Sequence, residues 1–244
     1  MSQHRGKPAQ GYHTDERLLM ALAEYLKLPL LQIARRAELA AMGDETPGHL
    51  ASICLTAETA LRLLDNYLLS SRLARATELQ LEPVSVTNIL TETAHELAKF
   101  SGEFDCQIQV HTTGRYEPVL AHQAGLRAAL SSLGYVFLEA QSAQAQLGGK
   151  SNVLVLGAHR GKTGIVAGMF ADIDGLSASM YQRAHQLYGQ TRLSMPELTV
   201  DSGAGVFVAD ALLHTMSARL RVARHHTMSG LAATLAPSRQ LQFV

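Results

Sequence analysis

One short segment of this chain carries residue types that bind phosphate groups in proteins, and a second combines two carboxylates with a glycine. Gly203 and Gly205, one residue apart, precede an apolar run with helical spacing, and the backbone N–H groups at a helix start can accept a phosphate. Asp172 and Asp174, the latter followed by Gly175, come at the end of a predicted strand. Glycines that only permit tight backbone geometry explain Gly203 and Gly205 equally well. Both interpretations therefore stay open from these residues alone.

Three other patterns lack the spacing that their chemistry requires. Residues 157–163 resemble a phosphate-binding Walker loop, but the glycines are one residue too close and a predicted strand follows, so we expect a hairpin turn. His225 and His226 end a predicted strand, where adjacent side chains point to opposite faces, so joint metal binding is not expected. Cys54 and Cys106 lie far apart without a Cys-x-x-Cys pattern. These patterns predict neither a metal site nor a disulfide framework.

The composition is typical of a folded, soluble protein of the cytoplasm. Of the 244 residues, 47% are hydrophobic, which is enough to bury the core of one large or two smaller domains. Lys plus Arg and Asp plus Glu both total 21, so no net charge favours nucleic acid. No run reaches the about 18 to 20 apolar residues that span a bilayer, and residues 1–13 are polar, unlike a signal peptide. We therefore expect no membrane span, no nucleic-acid binding and a cytoplasmic location.

The first third of the chain has the apolar periodicity of two long helices. The break at 43–45 separates them, and Pro29 is expected to kink the first helix. The apolar positions of the first helix recur at steps of three and four: Leu19, Leu22, Leu26, Pro29, Ile33 and Ala37. Those of the second follow a heptad spacing: Ile53, Ala57, Ala60, Leu64, Tyr67, Ser71 and Ala74. A lone hairpin cannot cover both stripes, so we predict a homodimeric four-helix bundle. The alternative is that the rest of the same chain covers the hairpin.

A change of pattern at Pro83 marks a domain boundary. We predict a flexible tail at 1–13, a helical-hairpin dimerisation domain at 14–80 and a mixed α/β domain at 81–244. In the last domain the expected helices are 84–100, 123–146 and 206–217, and the expected strands are 107–111, 152–156, 164–171, 220–224 and 231–235. This order of elements predicts an α/β sandwich.

Residues 24–30, Glu-Tyr-Leu-Lys-Leu-Pro-Leu, resemble the phosphoacceptor box of sensor histidine kinases, which is roughly His-Glu-Leu-Arg-Thr-Pro-Leu on the first hairpin helix. Four positions match the family: Leu26, Lys27, Pro29 and Leu30. Glu24 stands where the family has the phosphorylated histidine. The resemblance therefore implies the scaffold of a kinase without its acceptor.

Two further positions of this box depart from the family. Tyr25 replaces the acidic residue that assists proton transfer, and Leu28 replaces the Thr or Asn that orients water for dephosphorylation. We expect Glu24, Tyr25, Lys27, Leu28 and Pro29 to form a partner-docking face instead. The alternative is that this face packs against the chain's own second domain.

The segment after Pro83 resembles the ATP-binding domain of the same family. Leu-Glu-Pro-Val at 81–84 resembles the domain's entry, and Val-Leu-Ala-His at 119–122 resembles the run before its asparagine-bearing helix. The Mg²⁺-binding asparagine is expected near Ser132 or Val136, but the stretch 130–138 contains none. The adenine-binding box, Asp-x-Gly-x-Gly, is half preserved at 172–176. The later glycine box is matched by Gly203 and Gly205.

The resemblance, which covers about 15–244, implies an α+β fold in which a dimeric hairpin precedes a histidine-kinase-type ATPase sandwich. Its departures imply a pseudokinase of two-component signal transduction that binds or regulates a partner without phosphotransfer. That partner is a response-regulator receiver domain or another two-component protein. ATP or ADP, if bound at Asp172, Asp174, Gly175, Gly203 and Gly205, is expected to bind weakly and without Mg²⁺. The alternatives are a divergent active histidine kinase or phosphotransferase, and an ATP-binding switch without transfer.

Overall fold

The computed structural model describes residues 10–42, 49–102, 104–112, 114–146, 152–173, 176–187 and 203–238. The helices are α1 (Gln10–Ala41), α2 (His49–Arg75), α3 (Val86–Ser101), α4 (Gln123–Gln146), α5 (Ala178–Leu187) and α6 (Gly203–Thr215). The strands are β1 (Glu82–Val84), β2 (Gln107–Thr112), β3 (Val119–Ala121), β4 (Val153–Arg160), β5 (Ile165–Ala171), β6 (Leu220–His225) and β7 (Met228–Leu235).

The long antiparallel pair α1 and α2 forms the predicted hairpin. Pro29 lies inside α1, which continues beyond it to Ala41. Arg36 of α1 donates from its guanidinium to the backbone oxygen of Ser52 at 3.3 Å and to Oγ1 of Thr56 at 3.2 Å on α2. These bonds join the two helices near the end of the hairpin where the chain reverses.

A five-stranded sheet with the order β2-β4-β5-β7-β6 forms the second part of the molecule. β2 is parallel to β4, while the other neighbours are antiparallel, and β1 and β3 form a separate antiparallel pair. The helices α3 and α4 pack on the sheet through buried side chains, among them Leu90, Leu97, Leu126, Leu133 and Phe137. Residues 161–164 form the turn between β4 and β5, with the N–H of Gly161 donating to the oxygen of Gly164 at 2.7 Å. The Walker-like segment is therefore part of a β-hairpin, as predicted.

The helix α6 lies between the sandwich and the hairpin, because it packs against α4 on one side and against α1 and α2 on another. Its side chains are buried on both sides, including Val206, Val208 and Leu212. A helix covered from two sides needs no polar face. On the hairpin side, Leu22 of α1 and Leu63 of α2 are buried in the same core.

The hairpin's apolar stripes are therefore divided between two environments. Of the predicted seam, Leu22, Pro29 and Ala60 are buried, whereas Leu19, Ala37 and Ala74 are exposed. The chain's own second domain covers one face of the hairpin. This is the alternative to the dimeric bundle that the sequence analysis left open. The opposite face leaves a second set of apolar side chains exposed, here called the outer stripe: Met20, Leu30 and Leu31 on α1, and Leu50, Cys54, Leu61 and Leu68 on α2.

The mixed helix and sheet architecture, a helical hairpin followed by an α/β sandwich, confirms the predicted fold class. The domain boundaries at 13 and 80 and the dimeric state of the hairpin stay predictions. No described helix combines the length and the apolar character that crossing a membrane requires.

Candidate functional site

The first turn of α6 meets α4 at Gly205, which is buried. A Cβ atom at this position would lie 2.6 Å from Cγ2 of Val136 and 3.2 Å from the backbone oxygen of Ser132. A contact below 3 Å forces a neighbouring group to move, and the backbone oxygen is part of a helix. Gly205 therefore permits the close approach of α4 and α6. This agrees with the interpretation that the glycine serves tight backbone geometry.

The helix α2 covers the same position from the hairpin side. Asn66 donates from Nδ2 to Oγ of Ser132 at 2.9 Å and to the backbone oxygen of Ala128 at 3.3 Å. Ser132 is one of the two positions at which the sequence places the absent metal-binding asparagine, and its hydroxyl bonds to the hairpin. The side chain of Leu63, one turn before Asn66, is buried nearby.

Almost no space is left where α2, α4 and α6 meet. The cavity there measures about 10 Å³, which is close to the minimum that holds one water molecule. It is lined by Thr59, Leu63, Asn66, Ser132, Tyr135, Val136, Glu139 and Gly205. In the described part of the chain, this interface has no room for a nucleotide.

Tyr135, which lines this small cavity, is buried on α4. Its hydroxyl group is buried and has no hydrogen-bond partner among the described residues. Burial raises the pKa of the phenol, an effect that the nearby Arg62 guanidinium reduces and Glu96 and Glu58 reinforce. The group is therefore neutral at physiological pH.

A set of charged and polar side chains holds α2 against α3 and α4. Arg62 of α2 forms an ion pair with Glu96 of α3, and its guanidinium carbon lies 5.5 Å from the centre of the Phe100 ring. The second carboxylate oxygen of Glu96 accepts a hydrogen bond from Oγ of Ser131 on α4 at 3.2 Å. One arginine thus contacts a carboxylate and an aromatic face at the same junction.

An open cleft of about 910 Å³ runs beside this junction between α2, α3 and α4. Its charged side chains are mostly paired: Arg62 with Glu96, and Arg127 with Glu92 at 3.8 Å. Because the lining carries charges of both signs, the cleft has no single-sign field that would attract an anion.

The residues of the half-preserved adenine box lie beyond this interface. Asp172 follows β5 directly and is exposed, and its backbone oxygen accepts a long hydrogen bond of 3.5 Å from Nε2 of Gln141 on α4. Asp174 and Gly175 lie outside the described residues, and Gly203 is the first residue of α6. The structure thus brings Gly205 to the expected asparagine positions and leaves the carboxylate of Asp172 on the surface.

The degenerate box lies in the middle of α1. Lys27 is exposed, Pro29 is buried, and the side chains of Glu24, Tyr25 and Leu28 are outside the described set. The docking face that the sequence predicts there stays a prediction.

Sequence reasoning missed Arg62 and Asn66, two side chains through which α2 contacts α3 and α4. No local sequence pattern identifies these two residues. The apolar spacing of α2 predicts only that they lie off the apolar seam, and it does not predict their partners. Their partners are 34 and 66 residues away in the chain.

No protein-family model and no curated protein matches this chain, but its structure is similar to solved histidine kinases. Acinetobacter baumannii histidine kinase AdeS is 10% identical, with 88% of this chain and 98% of that chain covered and a TM-score of 0.55. Histidine kinase ThkA in complex with response regulator protein TrrA is 9% identical, with 90% and 61% covered and a TM-score of 0.56. Full-length ShkA in complex with AMPPNP is 16% identical, with 79% and 40% covered and a TM-score of 0.53. The chain therefore has the histidine-kinase-type fold that its motifs predict.

Proposed function

We propose that this chain is a histidine-kinase-like signalling protein that binds or regulates a two-component partner without phosphotransfer. The observation that carries the proposal is the interface of α2, α4 and α6. There, Gly205 packs on Val136 and Asn66 bonds to Ser132, which leaves a cavity of about 10 Å³. A nucleotide does not fit between these helices unless α2 moves away.

The residue types at this interface support the same conclusion. Phosphoryl transfer needs a metal ion to neutralise the phosphates and a nucleophile to accept the group. Neither Ser132 nor Val136 supplies the amide oxygen that an asparagine offers to the metal. Glu24, in place of the acceptor histidine, adds a fixed negative charge instead of a phosphorylatable imidazole nitrogen.

The proposed partner is a response-regulator receiver domain. The likeness to ThkA, whose solved structure is a complex with the response regulator protein TrrA, supports this class of partner. The proposed docking face comprises Glu24, Tyr25 and Leu28 on α1. These residues replace the family's catalytic ones, and they give the face a mixed apolar and acidic character.

We also propose that the protein is a homodimer, because the outer stripe leaves an apolar face exposed. On α2 this stripe recurs at steps of four and seven: Leu50, Cys54, Leu61 and Leu68. This is the spacing of helices that pack side by side in a bundle. The chain's own second domain covers the opposite face of the hairpin. A second copy of the hairpin matches this face in length and in apolar character.

Nucleotide binding separates the proposal from its alternatives. Isothermal calorimetry with ATP and with ADP, each with and without Mg²⁺, is expected to show weak or no binding that the metal hardly changes. An active histidine kinase measured under the same conditions serves as the positive control. Strong Mg²⁺-dependent binding, or a phosphoryl group on histidine that is stable in alkali and labile in acid, would favour the divergent active kinase instead.

Partner docking is tested with a panel of purified receiver domains, each in the unphosphorylated form and in the beryllofluoride-activated form. Tyr25→Ala combined with Leu28→Ala is expected to abolish capture while leaving the oligomeric mass unchanged. Leu120→Ala, at an exposed leucine of β3 far from α1 in sequence, is the matched control and should capture normally. Unchanged capture by the double variant would place the docking face elsewhere.

A further inference from the structure

We propose that His111, His225 and His226 form a binding site for a divalent transition-metal ion, with Zn²⁺ the best match. One ring nitrogen of each histidine lies within 4.8 Å of the others, and Nδ1 of His111 is 3.3 Å from Nε2 of His225. Two nitrogen ligands of a tetrahedral zinc ion, each about 2.0 to 2.1 Å from the metal, are themselves about 3.3 to 3.4 Å apart. The first pair already has this separation, and a small rotation of the exposed His226 ring brings in the third nitrogen.

The backbone turn at His226 explains why two adjacent histidines can reach the same ion. The sequence analysis placed both on a strand, where their side chains point to opposite faces. In the structure His225 is the last residue of β6, and His226 has a left-handed φ of 54° in the turn that leads to β7. Their ring centres are 4.6 Å apart. The argument from strand alternation is therefore wrong for this pair.

A glycine on β4 allows His225 to reach His111, although their strands lie at opposite edges of the sheet. Gly157 pairs in register with His111 and with Gly168, so these two positions add no side chain between the histidines. A Cβ atom at Gly157 would be only 3.4 Å from Nδ1 of His225. The His225 ring also lies against Phe170, with 5.1 Å between ring centres.

Two glutamines of β2 orient the His111 ring for binding a metal. Oε1 of Gln109 lies 3.1 Å from Nε2 of His111, and an amide oxygen can only accept, so Nε2 carries the hydrogen. Gln109 in turn donates from Nε2 to Oε1 of Gln107 at 3.1 Å. The lone pair of His111 is therefore on Nδ1, the nitrogen that faces His225. Hydrogen bonds of this kind commonly fix the tautomer of metal-binding histidines.

The donor atoms of the cluster also suit a transition-metal ion. The cluster consists only of imidazole donors among the described residues, and such donors favour Zn²⁺, Cu²⁺ or Ni²⁺ over Mg²⁺ or Ca²⁺. Because His226 is exposed, water can complete the coordination.

The test is a titration of the full chain, freed of metal by chelation, with Zn²⁺ in a calorimeter and with Co²⁺ in a spectrophotometer. We expect one ion per chain and the intense visible absorption of tetrahedral Co²⁺. His111→Ala and His226→Asn should each lower the affinity by on the order of 100-fold or more, and Gln109→Ala by about 10- to 100-fold, the usual effect of removing a residue that orients a ligand. The affinity should also fall as the pH decreases below the ordinary histidine pKa of about 6.5, since protons compete for the same nitrogens.

His95→Ala is the matched control, because His95 is an exposed histidine on α3 outside the cluster. It should keep the affinity of the unmodified chain. His226→Asn guards against misfolding, since the position is exposed and asparagine tolerates the left-handed backbone. If Zn²⁺ binds the His111 and His226 variants as tightly as the His95 variant, or raises the melting temperature of all of them equally, the proposed site is wrong.

Discussion

The two cysteines differ in the reactivity that their surroundings allow. Cys106 is buried, and burial raises the pKa of its thiol to about 11, with the charge of Asp105 adding to the effect and a backbone hydrogen bond from Leu154 opposing it. The thiolate is the reactive form. We predict that a Cys54→Ser variant reacts with a maleimide at pH 8 only after denaturation, as measured by mass spectrometry.

The control for this measurement is Cys106→Ser, which keeps the exposed Cys54. The Cys54 thiol should be modified without denaturation, although more slowly in the proposed dimer than in a monomer, because Cys54 belongs to the outer stripe. Rapid labelling of Cys106 in the folded Cys54→Ser variant would mean that the strand β2 and its neighbours open more readily than the buried packing indicates.

Gly205 distinguishes a packing role from a ligand-binding role at a single position. Gly205→Ala places a methyl group 2.6 Å from Cγ2 of Val136, so we predict a loss of about 1 to 3 kcal/mol in the free energy of unfolding. Gly102→Ala is the control, because Gly102 has helical backbone angles and no atom lies within 4 Å of the added Cβ. It should leave stability unchanged or raise it by up to about 1 kcal/mol.

Urea unfolding of both variants gives the comparison. A Gly205 variant as stable as the Gly102 variant would contradict the packing interpretation. If it also altered nucleotide binding, the phosphate-binding interpretation of this glycine would be favoured.

At the scale of elements, the position of α2 depends on a few polar side chains as well as on its apolar face. Arg62 contacts both Glu96 and the Phe100 ring, so we predict that Arg62→Ala lowers the free energy of unfolding by about 1 to 2 kcal/mol. Arg127→Ala removes a more exposed ion pair, with 3.8 Å between Arg127 and Glu92. This control should cost less than about 0.5 kcal/mol.

Amide hydrogen exchange locates the effect within the molecule. In Arg62→Ala, protection should fall in α2 and in the facing part of α4 while the sheet stays protected. Equal losses of protection throughout the chain would instead indicate that α2 unfolds only together with the sandwich.

At the scale of the whole molecule, the outer stripe is the proposed dimer interface. Leu61 is 60% exposed within one chain, so a charge there leaves the protomer's core intact but would be buried unpaired between two hairpins. We predict that Leu61→Glu converts the protein from a dimer to a monomer at tens of micromolar, as measured by light scattering. Leu64 is a poorer probe because it packs against the protomer's own core.

Leu120→Glu is the control for this change, because Leu120 is 37% exposed and lies on β3, outside the hairpin. It should remain dimeric. Thiol labelling gives an independent readout, since Cys54 belongs to the outer stripe and should react faster in Leu61→Glu. A monomeric unmodified protein would exclude the four-helix bundle.

Local patterns in the chain were sufficient to predict most of the elements. The helix α4 spans Gln123–Gln146, as predicted. The turn between β4 and β5 lies at the glycines from which it was predicted. Periodicity and turn chemistry depend on neighbouring residues, which is why they can be read from sequence. The short strands β1 and β3 and the helix α5 were not predicted, because three-residue strands and a ten-residue helix carry little periodic signal.

The tertiary structure added what depends on contacts between distant residues. Periodicity predicts that the hairpin helices have apolar stripes, but it cannot tell which neighbour covers each side. Asn66 contacts Ser132 only because α2 packs on α4. His111 contacts His225 only because the folded sheet brings the two rings together. Gly205 lies close to α4 because Val136 lies opposite it. Glu24 at the position expected for the acceptor and the absence of asparagine from 130–138 are visible in the sequence. The closed interface and the histidine cluster arise from the three-dimensional packing of segments far apart in the chain.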